Sequence, residues 1–161
     1  MTVQLTRYAL GAALFAALSA ASAPALAQDA SLDPAFGSAN LRAGFAPDPY
    51  NVNNIIAGGG NDASELGGSC VGMIADAPDF RLNYTAGGLP LNIWVYSNAD
   101  TTLVINAPNG DWSCNDDGAG GNGVNPGLRW AQPQSGVYDI WIGKFGGGDG
   151  VPARLVFSET H

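Results

Sequence analysis

The chain has 161 residues, with fourteen acidic against six basic ones, a formal net charge of −8, two cysteines and one histidine. That balance argues against nucleic acid and anionic membrane surfaces as partners, because both recruit clustered Lys and Arg. The lone histidine, His161, is the last residue, and a chain terminus seldom holds the geometry that a Ser-His-Asp triad or a zinc site demands.

In chain order, Arg7 precedes the apolar run YALGAALFAALSAASAPALA, which closes on Ala25-Leu26-Ala27. This is the pattern of a secretory signal peptide over residues 1–27, and the helix breaker Pro24 argues against an uncleaved anchor helix. Cleavage after Ala27 would leave Arg42, Arg81, Arg129, Lys144 and Arg154 against the fourteen acidic residues, a net charge of −9. No later segment approaches the roughly 20 apolar residues of a membrane span, so the mature chain is expected to be periplasmic or secreted, without a membrane span. Residues 28–36, QDASLDPAF, have no apolar period and predict a mobile leader. The remaining 37–161 fit one domain.

That domain reads as all-β. In LNIWVYS, Leu91, Ile93 and Val95 alternate with Asn92, Trp94 and Tyr96, and TTLVINA aligns Leu103 with Ile105. Ser97-Asn98-Ala99-Asp100 joins the two as a polar turn, and Asn109-Gly110 is a second hairpin signal leading into DWSC. ANLRAGF, NVNNIIA, FRLNYTA, GLRWAQ, GVYDIWIGKF and ARLVFSE complete about eight short strands, expected to be antiparallel in a β-sandwich or jelly roll. The alternation places Leu91, Ile93, Val95, Leu103, Ile105, Tyr138, Ile140, Ile142, Leu155 and Phe157 in the core. In an oxidising compartment Cys70 and Cys114 are expected to form a disulfide.

Two patterns could carry chemistry. In WSCNDDGAGGNGVNP, Asp116 and Asp117 supply charge, Asn122 and Asn125 supply amide oxygens, and the glycines let carbonyls turn inward. An all-oxygen donor set suits Ca²⁺, with Asp100 and Asp111 as neighbours, although polar turns favour the same residue types. The second pattern is aromatic: inward Ile93, Val95, Ile140 and Ile142 turn Trp94, Tyr96 and Trp141 outward as a platform for a sugar ring or peptide, or as cross-strand packing.

The stretch QPQSGVYDIWIGKF, with its Ser135-Gly136 turn and alternating Tyr138, Ile140 and Ile142, resembles the penultimate strands of the bacterial pre-peptidase C-terminal domain, a β-sandwich module of exported proteins. The order of AGFAPDPY, AGG, Cys70-Val71-Gly72, PDFRLNY, ADTTLVINAPNG, DDG and the SG turn resembles a group of small exported proteobacterial proteins often labelled peptidases, over roughly residues 40–159. The resemblance implies a fold and no catalytic residue. Together these readings predict an exported, non-enzymatic β-sandwich that binds an envelope protein or carbohydrate, or supports envelope structure, with Ca²⁺ as its candidate ion. The alternative is a small secreted hydrolase of glycosidase or peptidase type.

Overall fold

The computed structural model describes residues 28–118 and 123–160. The expected signal peptide, Asn122 and His161 lie outside the described residues. Alternating apolar residues broken by Gly, Pro, Asn and Asp build strands: β1 (Ser38–Arg42), β2 (Tyr50–Ala57), β3 (Asn61–Asp62), β4 (Met73–Ile74), β5 (Phe80–Thr85), β6 (Leu91–Ser97), β7 (Thr101–Asn106), β8 (Trp112–Asn115), β9 (Gly127–Trp130), β10 (Gly136–Lys144) and β11 (Val151–Ser158). One 3-10 turn, Ala63–Leu66, is capped by Asp62, whose carboxylate accepts from the Ser64 amide. No helix among the described residues is long and apolar enough to cross a membrane.

All eight expected strands are present, and three were not foreseen as strands. β3 and β4 are two residues each, too short to show alternation, and β8 grows from the Asn109-Gly110 hairpin. They form two sheets. A four-stranded sheet runs β2-β11-β6-β9, and a seven-stranded sheet runs β8-β7-β10-β5-β1, with β4 and β3 joined to the far end of β10. The expectation of a wholly antiparallel set fails at one edge, where β1 pairs with β5 in parallel. The long connection from β1 through the other sheet allows that orientation, which a tight hairpin forbids.

The ten residues assigned to the core by alternation are all at most 1% exposed and fill the space between the sheets, with Ile55, Phe80 and Leu82. Trp141 corrects the expected outward face. Its inward neighbours Ile140 and Ile142 are where the alternation puts them, yet Trp141 is itself 0% exposed. A second apolar cluster covers part of the outer face of the seven-stranded sheet, over β7, β8 and the middle of β10: Trp141 packs with Ala63, Cys70, Ile74 and Val104, and against Trp112 at 5.3 Å between ring centroids. The Cys70–Cys114 disulfide, with α-carbons 4.9 Å apart, fastens this cover to β8. β10 is therefore buried on both faces, which an alternating sequence cannot announce.

The segment 28–36, expected to be a mobile leader, is tied down as part of the same cover. The amides of Asp29, Ala35 and Phe36 donate to the carbonyls of Asp76, Pro78 and Asp79. The Arg81 guanidinium donates through Nε to Asp139 and through its terminal nitrogen to the carbonyls of Ala30 and Leu32. Asp79 sits in the gap between β5 and β4, where neither strand pairs with Ile142; its carboxylate accepts the Ile142 amide at 2.6 Å. At the opposite end, the AGFAPDPY loop closes on Glu159, which accepts from Gly44 N and Tyr84 OH. That motif is a structural clamp.

Candidate functional site

The acidic loop brings together three carboxylates from two turns. Asp100 ends the β6–β7 turn, and Asp116 and Asp117 follow β8, past the strand alternation that would have pointed them apart. One oxygen from each lies within 4.8 Å of the others, a spacing that a cation bound at about 2.3–2.6 Å from each oxygen can bridge. Asp100 Oδ1 and Asp116 Oδ1 are buried with no hydrogen-bond partner among the described residues. Desolvation raises the pKa of both carboxyls; the charge of Asp117 adds to it in each case, and that of Asp100 adds further at Asp116. Hard oxygens, negative charge and orphaned lone pairs fit Ca²⁺.

The other residues expected there divide. Asn125 is 1% exposed and uses its amide to fasten the two turns together, accepting from Thr101 Oγ1 at 2.7 Å and donating to the Ser97 carbonyl at 2.9 Å. Asp111 lies at the opposite end of β8, bonded to Asn109 within its own turn. The trio is thus Asp100, Asp116 and Asp117, with Asn125 as its scaffold.

The second candidate is the outer face of the four-stranded sheet. Trp94 and Tyr96 do point outward from β6, half-buried and 38% exposed respectively. Trp141 belongs to the other sheet and does not join them. Their companions are residues with no conspicuous motif. Arg154 of β11 is opposite Tyr96, its guanidinium carbon 4.7 Å from the ring centroid. Arg129 of β9 is opposite Asn92 and donates to its Oδ1 at 2.8 Å, while Asn92 Nδ2 donates to the Ser158 carbonyl.

At Arg154 the pairing slips: Ala153 faces Ile55 and Leu155 faces Val52, so Asn53 and Asn54 share one partner position in a β-bulge. Asn54 takes a positive φ of 64°, a conformation Asn tolerates better than most side chains. The bulge and Tyr96 line an open depression of about 540 Å³ with Asn98 and Arg154, and Tyr96 also lines an adjoining one of about 300 Å³ with Trp94, Asn92 and Arg129. The doubled Asn in NVNNIIA, a poor strand former in an otherwise apolar strand, was the available sequence signal for the bulge.

A hydrolase would need a cleft with paired groups. Of the five described cavities, only the 250 Å³ one beside the Asn109-Gly110 turn holds a carboxylate, and Asp111 is its sole acid. No protein-family model matches this chain, and no curated protein is significantly similar to it.

Proposed function

We propose that this protein is an exported, non-enzymatic β-sandwich binding module of the cell envelope, steadied at one end by Ca²⁺. One observation carries the binding role. The outer face of the seven-stranded sheet is covered around Val104 and Trp141 by residues 28–36 and the disulfide-fastened segment and is open at its Asn40, Asn83 and Val137 end, whereas the outer face of the four-stranded sheet presents two aromatics and two arginines, Trp94, Tyr96, Arg129 and Arg154, to solvent. Export is supported by the signal-like N-terminus and by a disulfide, which persists in oxidising compartments. The two-sheet architecture is compatible with the pre-peptidase C-terminal resemblance.

Co-sedimentation with washed, insoluble envelope particles tests the module. The mature protein should pellet with them, and a Trp94→Ala, Tyr96→Ala double variant should stay in the supernatant. Equal behaviour of the two proteins refutes the reading.

Calcium at Asp100, Asp116 and Asp117 would neutralise the charge gathered between the β6–β7 turn and the end of β8. Saturating Ca²⁺ should then stabilise the fold by about 2.7 kcal/mol at a hundred times the dissociation constant. Asp116→Asn with Asp117→Asn should abolish that response and leave the fold intact. No shift in melting temperature up to millimolar calcium refutes the ion.

A further inference from the structure

We infer that the outer face of the β2-β11-β6-β9 sheet binds an acidic polysaccharide, its sugar rings on Trp94 and Tyr96 and its carboxylates on Arg129 and Arg154. The inference rests on the binding-module reading and names its ligand.

Charge is the first argument. In a chain with fourteen acidic and six basic residues, none of the residues lining the two adjoining depressions is acidic, and two of them are arginines. Neither arginine forms an ion pair among the described residues, where Arg81–Asp139 is the one salt bridge. The acidic trio borders the face without lining it: Asp100 lies two residues beyond Asn98, and Asp116 follows Asn115, whose side chain accepts from the Gly127 amide. The charged residues of the face itself are therefore both cationic, on an acidic protein.

Preorganisation is the second. A guanidinium matches a carboxylate as a planar two-pronged donor, and holding it in place beforehand lowers the entropy lost on binding. Arg154 is held over the Tyr96 ring and Arg129 by its bond to Asn92, which is 4% exposed and anchored to β11. Each keeps donors free on an exposed side chain.

Shape is the third. The arginines flank β6 on opposite sides, at positions four residues apart along it, a length of about 13 Å at the usual rise of a strand. A single carboxylate or a small acid cannot span that; a chain of sugars can, crossing both aromatic rings on the way. Asn53, Asn54 and Asn98 border the path with the amide donors and acceptors that hydroxyls require. A nucleic acid, the other common polyanion, would call for many more cations than two.

The test is native affinity electrophoresis in calcium-free gels containing polygalacturonate or its fully methyl-esterified form, which keeps the rings and removes the charge. Polygalacturonate should retard the protein, and the ester should do so at least tenfold more weakly. Arg129→Gln and Arg154→Gln should each weaken retardation by about tenfold, the value of a charge-assisted hydrogen bond. Arg42→Gln, on an exposed edge strand of the other sheet, should change nothing and controls for general charge. Unaltered far-UV circular dichroism and melting temperature of the Gln variants exclude misfolding.

Equal retardation by the ester overturns the acidic ligand while leaving a binding module in place. Full retention by both Arg129→Gln and Arg154→Gln, or an equal loss in Arg42→Gln, overturns this face as the site. No retardation by either polymer also overturns the inference, and the co-sedimentation assay then judges the module reading separately.

Discussion

Asp79→Asn should make the protein more stable at pH 8 and should flatten its stability between about pH 4 and 7. Asp79 is 2% exposed, and burial raises its pKa from 3.8 to about 7, with the Ile142 amide opposing the shift. The folded protein therefore keeps a proton through that window which the unfolded chain releases. Below pH 3.8 both states hold the proton and the residue has no linked cost. As pH rises, stability falls, until above 7 the folded state carries a buried charge at a cost of about 4 kcal/mol. An asparagine oxygen can still accept the Ile142 amide, while its new N–H groups, if unpartnered, offset about 1–3 kcal/mol of the gain. A net gain near 2 kcal/mol at pH 8 and a net loss of about 2 kcal/mol at pH 3.5 are expected, because the cost of the unpartnered N–H groups is present at both. Urea unfolding followed by tryptophan fluorescence measures it, with equal slopes confirming that only stability changed. Asp100, Asp116 and Asp139 are also shifted upward, so the variant minus wild-type difference is the quantity that counts. A difference that is constant across pH, or that grows toward acid, refutes the assignment.

Removing the disulfide with Cys70→Ser and Cys114→Ser should cost on the order of 4 kcal/mol for a cross-link separated by 44 residues, read from urea midpoints without reductant. Trp141→Ala should destabilise by about 3–5 kcal/mol, as expected for a fully buried ring, and leave polysaccharide retardation per folded molecule unchanged; a loss below 1 kcal/mol would mean that the cover over β10 is loose. Arg81→Ala should release residues 28–36 to limited proteolysis and faster amide exchange, while the core amides of β6 and β11 stay protected. Gly143→Ala should destabilise, because a β-carbon there would collide with the Thr102 side chain and crowd Ile74.

What the sequence determined by itself was local and periodic. Leu91, Ile93 and Val95, or Tyr138, Ile140 and Ile142, repeat every second residue, and a strand converts that period directly into one buried face. Two cysteines beside an export-type leader had one partner each, and Asp116 and Asp117 marked the acidic loop. What only the tertiary structure decided was everything that depends on which surfaces are covered. Trp94 and Trp141 occupy equivalent outward positions in similar sequences, LNIWVYS and VYDIWIG, yet one borders solvent and the other is sealed beneath Trp112 and the cover bound by the disulfide. The same holds for charge. Asp100 joins Asp116 and Asp117 while Asp111 does not, and Arg154 finds Tyr96 across 58 residues of chain, because strand pairing, not sequence distance, sets who stands opposite whom. An arginine in a strand has no local mark that tells a solvated side chain from one held ready on an aromatic ring; that distinction exists only once the neighbouring strand is in place.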